Sequence, residues 1–207
     1  HNWNWLPKEE MIEARRLEME FFRKMGVYRK VPKAQAKGKT IISTRWVDTN
    51  KGTEAEPVYR SRLVAKEIKK DNRLELFSAT PPLEVMKTLL SMAAQGQKEG
   101  KRIGIVDVKR AYFYAPTRRE IYIRIPAEDA VPGDENKVGI LDFSLYGTRD
   151  AAQNWAHCYS QLLESAGFVK GKASACNFWH PERDIALTCH GDDFIIVGDT
   201  KQLRWTI

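Results

Sequence analysis

The segment Cys189-His190-Gly191-Asp192-Asp193-Phe194-Ile195-Ile196-Val197-Gly198 constrains the fold most. A Gly-Asp pair set between two apolar runs reads as a tight hairpin, because glycine and aspartate tolerate the positive φ of short turns. A second acid opening a Phe-Ile-Ile-Val strand goes against β-propensity, so Asp193 needs a reason beyond the turn. Adjacent carboxylates repel each other, and a turn that presents two of them suits a cation. For Asp192 alone, turn chemistry is an equally good explanation. Upstream, Asp107 ends the apolar run Ile103-Gly104-Ile105-Val106 and is followed by Val108-Lys109-Arg110-Ala111-Tyr112-Phe113. One carboxylate at a strand end plus a pair on a hairpin is what a two-metal phosphoryl- or nucleotidyl-transfer site requires.

Periodicity places the rest of the chain around these acids. Lys8 to Met25 is helical, with Met11, Ile12, Phe21, Phe22 and Met25 near one stripe and Gly26 as its stop. Runs 27–31, 40–47 and 58–65 alternate like strands, and turn material at 48–52 makes the last two a basic hairpin. Polar residues from Lys66 to Arg73 form a loop. After Thr80-Pro81-Pro82 comes a helix with a broad apolar face: Leu83, Met86, Leu90 and Ala93, flanked by Val85, Leu89 and Met92. A short helix is expected near 109–114, strands at 121–126 and 138–141, and an exposed acidic loop from Glu128 to Asn136. Asp150 precedes a helix running to Ala166, with Ala152, Trp155, Tyr159, Leu162 and Leu163 directed inward, and hairpin strands follow at 185–189 and 194–197. This order predicts an α+β sandwich with helices on one face of an antiparallel sheet, and Asp107 meeting the Asp192-Asp193 turn at the same end of adjacent central strands.

Composition narrows the partners. The 207 residues carry a net charge of +7 and 43% hydrophobic residues, which excludes a disordered chain. Basic residues crowd the stretch from Arg23 to Lys70, including Lys30, Lys33, Lys37, Lys39, Arg45, Lys69 and Lys70, and point to a polyanion, although a solvated lysine-rich surface has the same composition. No stretch approaches a membrane span and no signal sequence precedes the first helix, so an intracellular location, cytoplasmic particle or nucleus, and no membrane partner are expected. The odd set of Cys158, Cys176 and Cys189 reads as reduced thiols, and no zinc spacing links Cys189 with His180 and His190. A chain that begins at His1 is expected to be a piece of a longer protein.

The motifs, taken in order, resemble the reverse transcriptase domain of copia-type retrotransposon polyproteins over nearly the whole chain. They are Thr44-Arg45-Trp46-Val47, Tyr59-Arg60-Ser61-Arg62-Leu63-Val64-Ala65-Lys66 and Leu76-Phe77-Ser78-Ala79-Thr80. Asp107-Val108-Lys109-Arg110-Ala111-Tyr112-Phe113, Ile121-Tyr122-Ile123, the run from Ser144-Leu145-Tyr146-Gly147 to Asn154-Trp155, and His190-Gly191-Asp192-Asp193 complete the series. The resemblance implies a right-hand polymerase: a palm of antiparallel sheet and helices plus a fingers subdomain, with about 1–100 mainly fingers and a palm helix, about 101–207 mainly palm, and no thumb or ribonuclease H.

It further implies that Asp107 and Asp192 hold two Mg²⁺ ions, replaceable by Mn²⁺, with Asp193 as the third acid. One ion activates the primer 3′-hydroxyl and the other neutralises the leaving pyrophosphate. The partners implied are an RNA or DNA template, a primer and a dNTP. Arg60 and Arg62, two apart on one strand face, and Lys66 are the implied triphosphate contacts. Tyr112 is the implied ring beneath the incoming sugar, with Phe113 beside it; a pair of core aromatics is the alternative. Gly147 is implied to allow close approach of nucleotide or template, or is a plain turn glycine. The chain departs from the family at Gly191, where Tyr-Val-Asp-Asp is usual, and at Pro116-Thr117-Arg118-Arg119, which replaces an acidic Asn-Gly turn. An inactive nucleic-acid-binding relic and an RNA-dependent RNA polymerase are the alternatives; Tyr112 argues against the second.

Overall fold

The computed structural model describes residues 6–68 and 80–207. The expectations for Lys69, Lys70, the loop to Arg73 and the landmark Leu76-Phe77-Ser78-Ala79 lie outside those residues. In chain order the elements are α1 Lys8–Met25, β1 Tyr28–Pro32, β2 Ile41–Ile42, β3 Thr44–Asn50, β4 Tyr59–Ala65, α2 Leu83–Gln95, β5 Lys101–Asp107, β6 Tyr122–Ile123, β7 Lys137–Leu141, α3 Ala151–Ser165, β8 Val169–Lys170, β9 Asn177–His180, β10 Ile185–His190, β11 Asp193–Asp199 and α4 Thr200–Thr206. They divide between two compact units, His1–Arg73 with Tyr112–Asn154, and Leu74–Ala111 with Trp155–Ile207.

The first unit holds α1, the β3-β4 hairpin and a sheet of order β1-β7-β6-β2. α1 ends as expected. Gly26 takes φ 62°, its N–H reaches the Arg23 carbonyl, and the Val27 N–H reaches that of Phe22, which closes the last turn. The buried stripe is Met11, Ala14, Glu18, Met19 and Phe22, while Ile12 is exposed. Met19, Phe22, Val27, Leu63, Phe113, Ile121, Ile123 and Leu145 form the core.

The loop from Glu128 to Asn136 is largely exposed, as expected, but two of its acids are tied down. Asp129 and Asp134 are buried; Lys30 pairs with both, and Arg23 donates to Asp129 at 2.8 Å. The Lys30 ammonium, with Lys137 and the Val131 N–H beside it, holds the Asp134 carboxyl well below the usual carboxylate range. Part of the basic stretch is therefore neutralised by the chain itself: besides Arg23 and Lys30, Arg29 pairs with Asp142 and Lys39 with Glu120.

The second unit is built on an antiparallel sheet of order β5-β11-β10-β9-β8. Helices cover both of its faces rather than the single face expected. Leu89 and Ala93 of α2 pack with Val197, Ile195 and Ala186. Side chains alternate along a strand, so Phe194 and Ile196 point the other way. Trp155 and Tyr159 of α3 meet Phe194 there, and Leu203 of α4 lies over Gly104, the register partner of Ile196. Of the expected α2 stripe only Leu89 and Ala93 are buried; Leu83 and Leu90 are exposed. The short β8 and β9 and the capped α4 are additional elements. Asp199 accepts the Gln202 N–H at 2.8 Å and starts α4.

Candidate active site

The hairpin of β10 and β11 closes at the pair His190 and Asp193, leaving Gly191 and Asp192 as its two-residue turn. Gly191 has φ 68°, and Asp192 is not among the non-glycine residues with positive φ. Positive φ at the first central position alone marks a type II′ turn, whose twist suits a hairpin and which favours glycine at that position. β11 pairs with β5 in a register that sets Asp193 directly opposite Asp107, Phe194 opposite Val106 and Ile195 opposite Ile105. The Val108 N–H extends the ladder by one bond, donating to the Asp192 carbonyl at 3.0 Å. All three acids thus share one end of two neighbouring strands. β5 lies at the edge of the sheet rather than in its centre.

Directly opposed like charges weaken a sheet, so the Asp107-Asp193 pair costs stability unless something neutralises it. Asp107 and Asp193 are exposed and Asp192 half-buried, which leaves room for further ligands. Among the described residues no group of three or more His, Cys, Asp or Glu side chains forms a metal site by itself. The donor set still fits a hard divalent cation. Mg²⁺ takes oxygen ligands, keeps several waters and completes its shell with substrate phosphates, so an open carboxylate cluster is the form it uses. Behind the turn, burial pushes the Cys189 thiol up to about 12, which keeps it neutral beside the acids.

The remaining site residues named from the sequence lie in the first unit. Ser61 and Leu63 of β4 are buried, so Arg60 and Arg62 share the opposite, more open face. The Arg62 guanidinium lies 4.8 Å over the Tyr146 ring, and Tyr146 in turn is 4.9 Å from Tyr112. Lys66 is exposed just beyond β4. Phe113 differs from expectation. Its side chain is fully enclosed, 4.7 Å from the Phe22 ring and 5.7 Å from Tyr146, so it backs the Tyr112-Tyr146 pair from within the core and has no open face for a nucleotide. Gly147 also has an internal explanation. At φ 81°, a Cβ there would stand 2.1 Å from the Ala65 carbonyl oxygen, so close packing against β4 demands glycine without any ligand.

Two neighbouring residues carry little signal of their own in the sequence. Tyr146, which links Arg62 to Tyr112, was visible only as one letter of the Ser144–Gly147 landmark. Arg119 donates to Asp150 at 2.8 Å and to Glu67 at 2.7 Å, and Glu67 also accepts the Arg149 N–H. This clasp ties the chain just past Lys66 to the loop that follows Gly147. Its only sequence signal was the unusual Arg118-Arg119 pair.

Comparison with known proteins supplies the class: the chain belongs to the reverse transcriptase (RNA-dependent DNA polymerase) family, whose model matches residues 26–204. It is 29% identical over 204 residues to the retrovirus-related Pol polyprotein from transposon TNT 1-94 of Nicotiana tabacum, covering 95% of this chain and 15% of that protein. It is 26% identical over 203 residues to the transposon Ty1-NL1 Gag-Pol polyprotein of Saccharomyces cerevisiae, covering 95% of this chain and 11% of the relative. The truncated Ty1-A Gag-Pol polyprotein of the same yeast matches at 26%, with 16% of its length covered. The chain therefore spans a minor part of these copia-type Pol polyproteins. No helix among the described residues is long and apolar enough to cross a membrane.

Proposed function

We propose that this chain carries the nucleotidyl-transfer centre of an RNA-directed DNA polymerase, extending a primer on an RNA or DNA template with dNTPs. The observation that carries the reading is the cross-strand pairing of Asp107 with Asp193 beside Asp192 in the turn. In this reading about 1–100 is mainly fingers with a palm helix and about 101–207 is mainly palm. Asp107 and Asp192 hold two divalent ions, Mg²⁺ or Mn²⁺, and Asp193 is the third acid. The bound ions supply Lewis acidity toward the phosphates and the primer hydroxyl. The chain's own residues orient: Arg60, Arg62 and Lys66 neutralise triphosphate oxygens, and Tyr112, braced by Tyr146 and Phe113, selects the sugar.

The test is incorporation of labelled dNTP and rNTP on a primed homopolymer template with Mg²⁺ or Mn²⁺. The wild type is expected to incorporate dNTP, the Asp192→Asn, Asp193→Asn double variant to lose incorporation, and Tyr112→Ala to admit rNTP. Incorporation that survives the double substitution refutes the assignment.

A further inference from the structure

The catalytic turn is held from below by a side chain that no part of the proposed chemistry uses. The Trp155 indole N–H donates to the Gly191 carbonyl at 2.8 Å, and the Cys189 thiol is a longer second donor to the same oxygen at 3.4 Å. The indole is itself fixed. Trp155 is 7% exposed, and its ring stands edge-on to Tyr159 at 5.5 Å and to Phe194 at 6.3 Å. In a II′ turn the peptide between the two central residues is the one that must stay flipped, and its carbonyl belongs to the first of them, here Gly191. A peptide is planar, so fixing that carbonyl also fixes the Asp192 nitrogen and Cα, the base from which the Cβ and its carboxylate project.

We propose that Trp155 is a positioning residue for the acid cluster: its N–H locks the Gly191-Asp192 peptide plane and so sets the direction in which Asp192 presents its carboxylate beside Asp107 and Asp193. The catalytic part of this role rests on the reading of these aspartates as the metal site; the locking of the turn does not. Glycine at 191 makes the lock more consequential. With no side chain, and with no atom within 4 Å of where a Cβ would stand, the turn gains no packing of its own at that position. The restraint on the peptide comes from its carbonyl.

Two measurements separate the lock from the chemistry. In the ¹⁵N-labelled wild type, the Trp155 indole N–H is expected to exchange with solvent at least tenfold more slowly than that of Trp179, which is 49% exposed; equal exchange overturns the proposal even if no variant folds. Trp155→Phe keeps an aromatic ring against Tyr159 and Phe194 but removes the donor. Loss of a net hydrogen bond of ordinary strength corresponds to roughly 2- to 12-fold. The Val108 amide, which donates to Asp192, is expected to exchange faster by that factor, while Leu187 in mid-strand stays unchanged. In primer extension the same variant is expected to lose kcat and to require more Mg²⁺ for half-saturation, with KM for dNTP unaltered.

Unchanged Val108 exchange in Trp155→Phe overturns the lock. Faster Val108 exchange with unchanged kcat and Mg²⁺ requirement overturns its catalytic role. If the wild type incorporates nothing but Val108 exchange still responds, the lock stands and the polymerase reading falls.

Discussion

Replacing Gly191 by alanine isolates the cost of the turn's backbone. The residue sits at φ 68° with no atom within 4 Å of the position a Cβ would occupy. The new methyl therefore meets nothing, and the penalty is conformational alone. A residue held in a sparsely populated backbone region costs about 1–3 kcal/mol, whereas asparagine, which tolerates positive φ better, should cost less than alanine. For a chain of this length each kcal/mol lowers Tm by roughly 2–4 °C. Thermal unfolding is expected to give stability falling in the order wild type, Gly191→Asn, Gly191→Ala, Gly191→Val, with Val lowest because its branched Cβ resists positive φ. Valine is also the residue usual in copia-type relatives, so its effect measures what this chain avoids by carrying glycine. If alanine and asparagine are both neutral, the positive-φ turn is not how the protein holds these acids.

The opposed acids lead to a second expectation: Asp193→Asn should raise metal-free stability by ~0.2–1 kcal/mol, since it removes a like-charge cross-strand pair, while primer extension collapses; a loss of stability on urea unfolding would contradict the pairing. Arg119→Met leaves the buried Asp150 carboxylate without its charged donor and is expected to cost ~1–3 kcal/mol in thermal unfolding, with Arg119→Lys recovering only part because lysine lacks the planar fork; a neutral Arg119→Met removes the clasp from the account. Acid unfolding provides the last. Because Asp134 titrates below its unfolded value, its stabilisation is complete above the ordinary aspartate pKa near ~3.9 and disappears as pH falls through the lower folded value. Asp134→Asn should lose stability at neutral pH and flatten the fall in the urea midpoint below that range; an unaltered acid slope would show that the Lys30 pairing is not formed.

How far the sequence revealed this arrangement depends on how local each cause is. The turn was legible because Gly191-Asp192 between two strand-forming runs has few alternatives, and α1 because its periodic stripe ends on Gly26. α2 was legible as a helix but not in its orientation. Apolar residues at 83, 85, 86, 89, 90, 92 and 93 cover more than half its circumference, and only the sheet beneath it chooses Leu89 and Ala93 over Leu83 and Leu90. The ion pairs of the acidic loop are not legible in the sequence because the partners Arg23 and Lys30 lie roughly a hundred residues earlier. Gly147 and Phe113 sat inside motifs that suggested ligand contact. The constraint on each is packing, a β4 carbonyl 2.1 Å from a hypothetical methyl in one case and a closed aromatic cluster in the other. For the acids, the sequence supplied the residue types, and strand register supplied the partner: Asp193, not Asp192, is the residue opposite Asp107.

The proposed role of these three carboxylates is to bind divalent metal. Mn²⁺ binding to the chain with primed template and dNTP, followed by electron paramagnetic resonance, tests it most directly. The account expects saturable binding in the wild type, beyond that of the nucleotide alone, that is lost in the Asp107→Asn, Asp192→Asn double variant with the fold intact by circular dichroism. Equal Mn²⁺ binding by the two proteins would contradict it.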